Sequence, residues 1–65
     1  MSAAAKLGQR IKAFRLERDM TQAQVAAYLG ISKPTVARLE GGRGNVMDLT
    51  RAKIERQLDK ASIAA

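Results

Sequence analysis

The chain offers few side chains that could take part in covalent or acid–base chemistry. Its 65 residues include no cysteine and no histidine, which removes thiolate nucleophiles, imidazole bases, disulfides and the usual zinc ligands. The acidic residues are scattered and form no recognisable carboxylate pair, and no glycine-rich loop could hold a phosphate group. We therefore expect no catalytic activity, no metal and no cofactor, and we look for a binding function.

Positive charge is the main chemical property that remains. Twelve Lys and Arg against six Asp and Glu give a formal net charge of +6. Such a surplus favours a polyanionic partner, although a merely solvated basic surface has the same composition. No apolar run approaches the roughly 20 residues that span a bilayer, and residues 2–5 lack the features of a signal peptide. We expect a cytoplasmic protein with no membrane contact and no small-molecule ligand.

Two short helices are predicted over residues 22–29 and 33–40. Thr21 and Gln24 have the spacing of a capping box, in which each side chain bonds the backbone N–H of the other residue. Ser32 is placed to cap the second helix. Each helix start is therefore specified by residues next to it in the sequence, and the two starts lie about eleven residues apart.

The apolar residues of this segment recur at helical spacing, so that each short helix has one buried stripe. The stripes comprise Val25, Leu29, Val36 and Leu39, with Ile31 between them. Ala26 is small enough for a second helix to approach, and Gly30 can adopt the positive φ of a tight turn. Gly41 and Gly42 end the second helix. The pattern predicts a steep crossing of two helices.

A longer helix is expected on each side of this pair. The first spans residues 2–18, capped by Ser2, with a stripe of Leu7, Ile11 and Phe14. The last spans about residues 46–61 and is capped by Asn45. Its apolar residues leave two alternatives: one broad face on the domain's own core, or a second, coiled-coil-like seam for a partner subunit. That seam would comprise Met47, Ile54, Leu58 and Ala61.

The segment TQAQVAAYLGISKPTVARLEGG resembles the helix-turn-helix family of phage repressors and Cro, together with related small bacterial regulators. The similarity lies in the threonine–glutamine opening, the alanine, the glycine, the apolar positions and the closing leucine–glutamate, and it extends over residues 7–42. It implies an all-α fold, a compact four-helix domain like that of lambda repressor, with room for a frayed fifth turn. Residues 1–65 would then form a single DNA-binding domain with its helix-turn-helix at residues 21–41.

In this family the second short helix enters the major groove, so the resemblance implies four base-contacting residues. They are Lys33, Pro34, Ala37 and Arg38. Lys33 and Arg38 can donate to guanine O6 and N7, whereas Pro34 and Ala37 offer only apolar contact with thymine methyl groups. Pro34 stands where the family commonly has a polar residue. This helix therefore has fewer side chains that can read bases directly by hydrogen bonds. The alternative for Lys33 and Arg38 is a solvated charged face.

The resemblance also implies phosphate contacts by Gln22, Thr35 and Arg43, which would fix the register without reading sequence. The alternatives are an ordinary helix-start residue for Gln22 and a solvated loop charge for Arg43. Arg15 and Glu40 match positions that form a largely buried ion pair in some family members. Such a pair would tie the first helix to the end of the second short helix.

These observations lead us to expect a sequence-specific transcriptional regulator, a repressor that could control its own gene. It would bind an inverted repeat in double-stranded DNA as a homodimer, with the last helix as the dimer contact. The alternative is an antitoxin-like or anti-activator module with a protein partner and secondary DNA binding. RNA binding is disfavoured because only 3% of residues are aromatic, and a cationic membrane-surface helix would leave the paired helices unexplained.

Overall fold

Helices make up nearly all the regular structure of this chain. The computed structural model describes the backbone of residues 3–64 and the side chains of residues 3–61. In chain order the helices are α1 (Ala3–Glu17), α2 (Gln22–Leu29), α3 (Lys33–Glu40) and α4 (Asp48–Ala64). No strand occurs among the described residues. The expected all-α, four-helix fold is confirmed, and α2 and α3 have the predicted bounds.

Local hydrogen bonds explain where α2 and α3 begin. The Gln24 N–H donates to Thr21 Oγ1 at 3.0 Å, and the Thr21 N–H donates to Gln24 Oε1 at 2.8 Å, so the capping box is complete. Ser32 caps α3 by accepting from the Thr35 N–H at 3.3 Å, and Pro34 lies in the first turn, where an N–H is not needed. Both predicted caps are confirmed.

The first three helices end with the same backbone motif. At each end a residue with positive φ reverses the chain: Asp19 (55°), Gly30 (73°) and Gly42 (76°). The next N–H then donates back to a helix carbonyl, Met20 to Arg15, Ile31 to Ala26 and Arg43 to Arg38. This is the Schellman arrangement, which satisfies carbonyl groups that a helix end leaves unpaired. It ends α1 at Glu17, one residue before the predicted end; the predicted Ser2 cap lies outside the described residues.

One hydrophobic core joins all four helices. Its buried residues are Ala4, Leu7, Ile11, Phe14, Val25, Ala26, Leu29, Val36, Leu39, Ile54 and Leu58. The predicted stripe of α1 and the predicted stripes of α2 and α3 are all part of it. Met20 and Ile31, the residues just before the α2 and α3 caps, pack against this core and fix the angle at which the chain enters each helix.

The backbones of α1 and α3 approach each other closely at Gly8. This glycine lies in the middle of α1 and is buried against the end of α3, where a methyl group would overlap the carbonyl group of Leu39. Ala26, which the sequence suggested as the close-contact residue, is buried as well. The position that permits no side chain is nevertheless Gly8. The absence of a side chain at Gly8 therefore allows α1 and α3 to lie this close together.

The last helix differs from its prediction in bounds and in exposed face. It begins at Asp48 rather than Val46, because the first helical hydrogen bond runs from the Arg51 N–H to the Met47 carbonyl (2.9 Å), so Asn45 is not its cap. It continues to Ala64 rather than ending near residue 61.

The predicted partner seam of α4 is wrong for most of its residues. Ile54 and Leu58 are buried in the domain's own core and Ala61 packs against it, which leaves only Met47 exposed. A residue cannot face both the core and a partner subunit. The structure thus supports the core-facing alternative for Ile54, Leu58 and Ala61, whereas Met47 and Leu49 are exposed.

We predict that Gly8→Ala unfolds the protein at lower temperature. At an open helix position this substitution would stabilise by about 1 kcal/mol. Here the added methyl group would overlap the backbone at Leu39, so the substitution should instead lower the free energy of unfolding by about 3 kcal/mol. For a domain of this size that corresponds to a drop of about 10–20 °C in Tm. Circular dichroism melting measures the effect.

Gly41→Ala is the matched control, because Gly41 has φ of −79° and an added methyl group would make ordinary contacts of 3.4–3.6 Å with the Ala37 and Arg38 carbonyl oxygens and Arg43 Nε. Its Tm should change by no more than a few degrees. Equal Tm values for the two variants would contradict the close approach of α1 and α3.

Candidate DNA-binding surface

The outward face of α3 carries Lys33 and Arg38, two of the three charged residues of that helix. Val36 and Leu39 point into the core and are fully buried. Four exposed residues share the opposite face at helical spacing, namely Lys33, Pro34, Ala37 and Arg38. The structure therefore brings together the four residues that the resemblance assigned to base contacts.

Two neighbouring helices hold α3 in this orientation. On one side α2 packs against it through Val25 and Leu29, and the turn between them is closed by Gly30. On the other side α1 approaches its end at Gly8. A helix fixed on two sides presents its outward side chains in a defined geometry, which recognition of a rigid partner requires.

The loop after α3 extends the same basic surface. The Arg43 N–H donates to the Arg38 carbonyl at 2.9 Å, and this bond holds the loop against the last turn of α3. The Arg43 side chain is exposed. The backbone of Gly44 then passes beside the Arg38 side chain, since a methyl group at Gly44 would lie 3.6 Å from the Arg38 Cβ. Arg38 is thus flanked by the loop.

Three cations of this surface have no carboxylate partner in the described part of the chain. Among the described residues, Lys33, Arg38 and Arg43 take part in no ion pair. Elsewhere carboxylates neutralise three arginines, Arg10 with Asp59 (2.8 Å), Arg15 with Glu40 (2.7 Å) and Arg51 with Asp48 (2.6 Å). The unpaired positive charge of the α3 side is therefore available to an anionic partner.

Gln22 and Thr35, the other two predicted phosphate contacts, already have partners within the domain. The Gln22 Nε2 donates to Glu40 Oε1 at 3.2 Å, and the Thr35 hydroxyl shares a 2.7 Å hydrogen bond with Ser32. Both side chains are half-buried. An amide nitrogen has two hydrogens, so one N–H of Gln22 remains to be donated outward.

Arg15 and Glu40 form a two-pronged ion pair between α1 and α3. Arg15 Nε donates to Glu40 Oε2 at 2.7 Å, and a terminal Arg15 nitrogen donates to Oε1 at 2.9 Å. The side chains are only 16% and 6% exposed, respectively. The hydrogen bond from Arg15 holds the pKa of Glu40 below its ordinary value, with Gln22 acting in the same direction and burial opposing both. The pKa of Arg15 is raised by the same contact.

The sequence did not reveal an aromatic contact near the C-terminal end of α1. The rings of Phe14 and Tyr28 stack with centroids 5.4 Å apart, and the Arg18 guanidinium lies 4.2 Å from the Phe14 centroid. A cation over a ring face is attracted by its quadrupole. Arg18 is exposed, and its guanidinium covers one face of the Phe14 ring. The four-residue spacing of Phe14 and Arg18 was the available signal in the sequence.

These features define a small all-α domain that presents one helix outward from a tight two-helix turn. Residues 6–60 match the family model of the helix-turn-helix domain, and the chain belongs to that family. DNA-binding domains of this type place the second helix of the motif in the major groove, so membership indicates DNA binding. No curated protein and no solved structure matches the chain significantly. None of the described helices is long and apolar enough to cross a membrane.

We predict that Glu40→Ala destabilises the domain far more than Arg43→Ala. Removing one partner of a buried ion pair leaves the other charge uncompensated. Because Arg15 keeps some exposure to solvent, we expect a cost of about 3 kcal/mol, the lower end of the usual range. Arg43 is exposed and its side chain has no ion pair among the described residues, so its loss should cost little. Thermal melts of both variants test this, and equal shifts would count against the pair.

We also predict that this ion pair makes stability depend on pH in the acid range. Because the folded-state pKa of Glu40 is lowered, the contribution is fully present above the unfolded value of about 4.3 and is lost as pH falls toward the folded value. The stability difference between wild type and Glu40→Gln, measured by urea unfolding, should therefore shrink below about pH 4.3. Glu17→Gln, at an exposed glutamate of α1, is the control for removing one carboxylate. A pH-independent difference for Glu40→Gln would refute the assignment.

Proposed function

We propose that this protein is a sequence-specific transcriptional regulator, a repressor that binds an inverted repeat as a homodimer with α3 in the major groove. The observation that carries the proposal is the outward face of α3, where unpaired Lys33 and Arg38 project from a helix fixed by two neighbours. A protein that blocks a promoter needs only to occupy it, and such a role fits a domain without a catalytic constellation. The site of action would be the cytoplasm of a bacterial or phage-infected cell.

The α3 residues divide into two chemical roles. Lys33 and Arg38 donate to guanine O6 and N7, and Arg38 can do so with two nitrogens at once. Pro34 and Ala37 meet thymine methyl groups, because neither side chain can donate a hydrogen bond. Each half-site should therefore contain at least one G·C pair within the reach of α3.

The phosphate contacts surround this face. Arg43 lies in the loop after α3, Gln22 begins α2 and has one N–H left to donate, and Thr35 lies near the start of α3. Such contacts set the position of α3 in the groove without distinguishing bases. Their loss should lower the affinity for all sequences equally.

The experiment that tests the proposal is selection of bound sequences from a random duplex pool, followed by titrations of the preferred duplex. Arg38→Ala should relax base preference at one position per half-site, at a cost of about 1–3 kcal/mol. Arg43→Ala should weaken binding to all duplexes alike and reduce the salt slope by about one per half-site.

Arg56→Ala supplies the control for charge. Arg56 is an exposed arginine of α4, without an ion pair in the described part of the chain, so its loss removes one positive charge away from α3. It should leave the base preference unchanged. The proposal is wrong if no sequence is enriched, or if Arg38→Ala and Arg56→Ala behave alike on every duplex.

A further inference from the structure

The outward face of α3 contains a small apolar patch. Pro34 and Ala37 are both exposed, whereas Val36 and Leu39 of the same helix are fully buried. Residues three apart are neighbours on a helix surface, with Cβ atoms about 5–6 Å from each other. The ring of Pro34 and the methyl group of Ala37 therefore form one continuous patch within the face that we propose for the major groove.

The two hydrogen-bond donors of α3 border this patch. At about 100° per residue, Lys33 and Arg38 lie on opposite sides of it when the helix is viewed along its axis. Arg38 follows Pro34 by four residues, a rise of about 6 Å, which is less than two base-pair steps of about 3.4 Å. A base that contacts the patch therefore lies within about two steps of the guanine proposed for Arg38.

The fold holds the patch in a fixed position. Ser32 caps the first turn of α3, because its hydroxyl oxygen accepts from the Thr35 N–H at 3.3 Å and shares a 2.7 Å hydrogen bond with the Thr35 hydroxyl. Pro34 lies in this turn, and its ring fixes the backbone φ. Neither proline nor alanine loses rotamer freedom when its side chain is buried. An apolar contact at the patch therefore has no cost in side-chain entropy.

We propose that Pro34 and Ala37 recognise the 5-methyl group of a pyrimidine rather than the base that carries it, so that 5-methylcytosine is accepted in place of thymine. The inference rests on the function proposed above and names the chemical group that the patch recognises. Its consequence is that methylation of a cytosine at this position raises the affinity of the protein for its site.

The chemistry of the two side chains supports this distinction. In the major groove thymine presents an O4 acceptor and a methyl group, whereas cytosine presents an N4 amino donor. A side chain with a hydrogen-bond donor or acceptor distinguishes these two exocyclic groups, but the side chains of proline and alanine have neither. Methylation of cytosine at C5 adds a methyl group where thymine has its own. The patch therefore meets the same apolar group on both bases.

The size of the expected effect follows from the burial of one methyl group. Removing an apolar group of this size from water changes a binding constant by about fourfold. Loss of a good contact to guanine is larger, about 5- to 150-fold. The patch therefore adjusts the affinity for a site that Lys33 and Arg38 select.

The test uses duplexes that differ from the selected site at a single base pair. The Arg38→Ala selection identifies the guanine, and each pyrimidine within about two steps of it is replaced in turn. The replaced pair is T·A, U·A, 5-methylcytosine·G or C·G, and each Kd is measured by fluorescence anisotropy at one salt concentration. At one position or more, thymine should be bound about fourfold more tightly than uracil, and 5-methylcytosine about fourfold more tightly than cytosine.

The double variant Pro34→Ser, Ala37→Gly removes the patch. Both ratios should then fall to about one, because no apolar contact with the methyl group remains. Each ratio compares two duplexes with the same protein, so any change in the folded fraction cancels. Ala52→Gly makes the same alanine substitution at an exposed position of α4 and is the matched control. It should keep both ratios at about fourfold.

Three results would overturn the inference while leaving the guanine preference of Arg38 intact. They are no position that responds to the methyl group, 5-methylcytosine bound no more tightly than cytosine where thymine is preferred to uracil, and a methyl effect that persists in the double variant. The last result would mean that the methyl group acts through the stiffness of the duplex. If no sequence is selected at all, the proposed function fails and the inference fails with it, which distinguishes the two cases.

Discussion

The packing of α1 across the end of α3 is the constraint on which the remaining structure depends. Gly8 and Arg15 are seven residues apart, two helical turns, and therefore lie on the same face of α1. They meet consecutive residues of α3: Gly8 lies against the Leu39 backbone, and Arg15 pairs with the Glu40 carboxylate. One contact fixes the distance between the helices and the other fixes their rotation. The contacts of α1 with the inward side of α3 thus determine which side chains of α3 point outward.

Glu40 connects this packing to the DNA-binding surface. Its Oε1 accepts from both Arg15 and Gln22, so one buried carboxylate joins α1, the end of α3 and the start of α2. A fully satisfied buried network of this kind specifies a unique arrangement, even where its net contribution to stability is small. The Gln22 side chain is therefore held in place by the fold, ready for the phosphate contact that we propose for it. The orientation of the amide is fixed during folding, which reduces the entropy lost on binding.

The parts of this protein that could be predicted from sequence are those with local signals. The bounds of α2 and α3 follow from caps and turn residues within a few positions of each other, and the exposed face of α3 follows from helical spacing. The role of Gly8 could not be predicted, because it depends on which helix lies above it. Ile54 and Leu58 have the same spacing in a core as in a subunit interface, so periodicity alone cannot separate the two. The inward bond of Gln22 depends on Glu40, eighteen residues away.

The composition of α3 itself argues that one copy is insufficient for regulation. Only Lys33 and Arg38 can donate to bases, and two good contacts provide about 2–6 kcal/mol of discrimination. Regulators typically prefer their operators over other DNA by about 4–10 kcal/mol, whereas a net charge of +6 raises the affinity for all DNA alike. Two copies on an inverted repeat double the number of reading contacts and bring the total into that range. If α3 reads bases as we propose, Pro34 and Ala37 in place of donors make the second half-site a requirement of specificity, independent of whether the free protein dimerises.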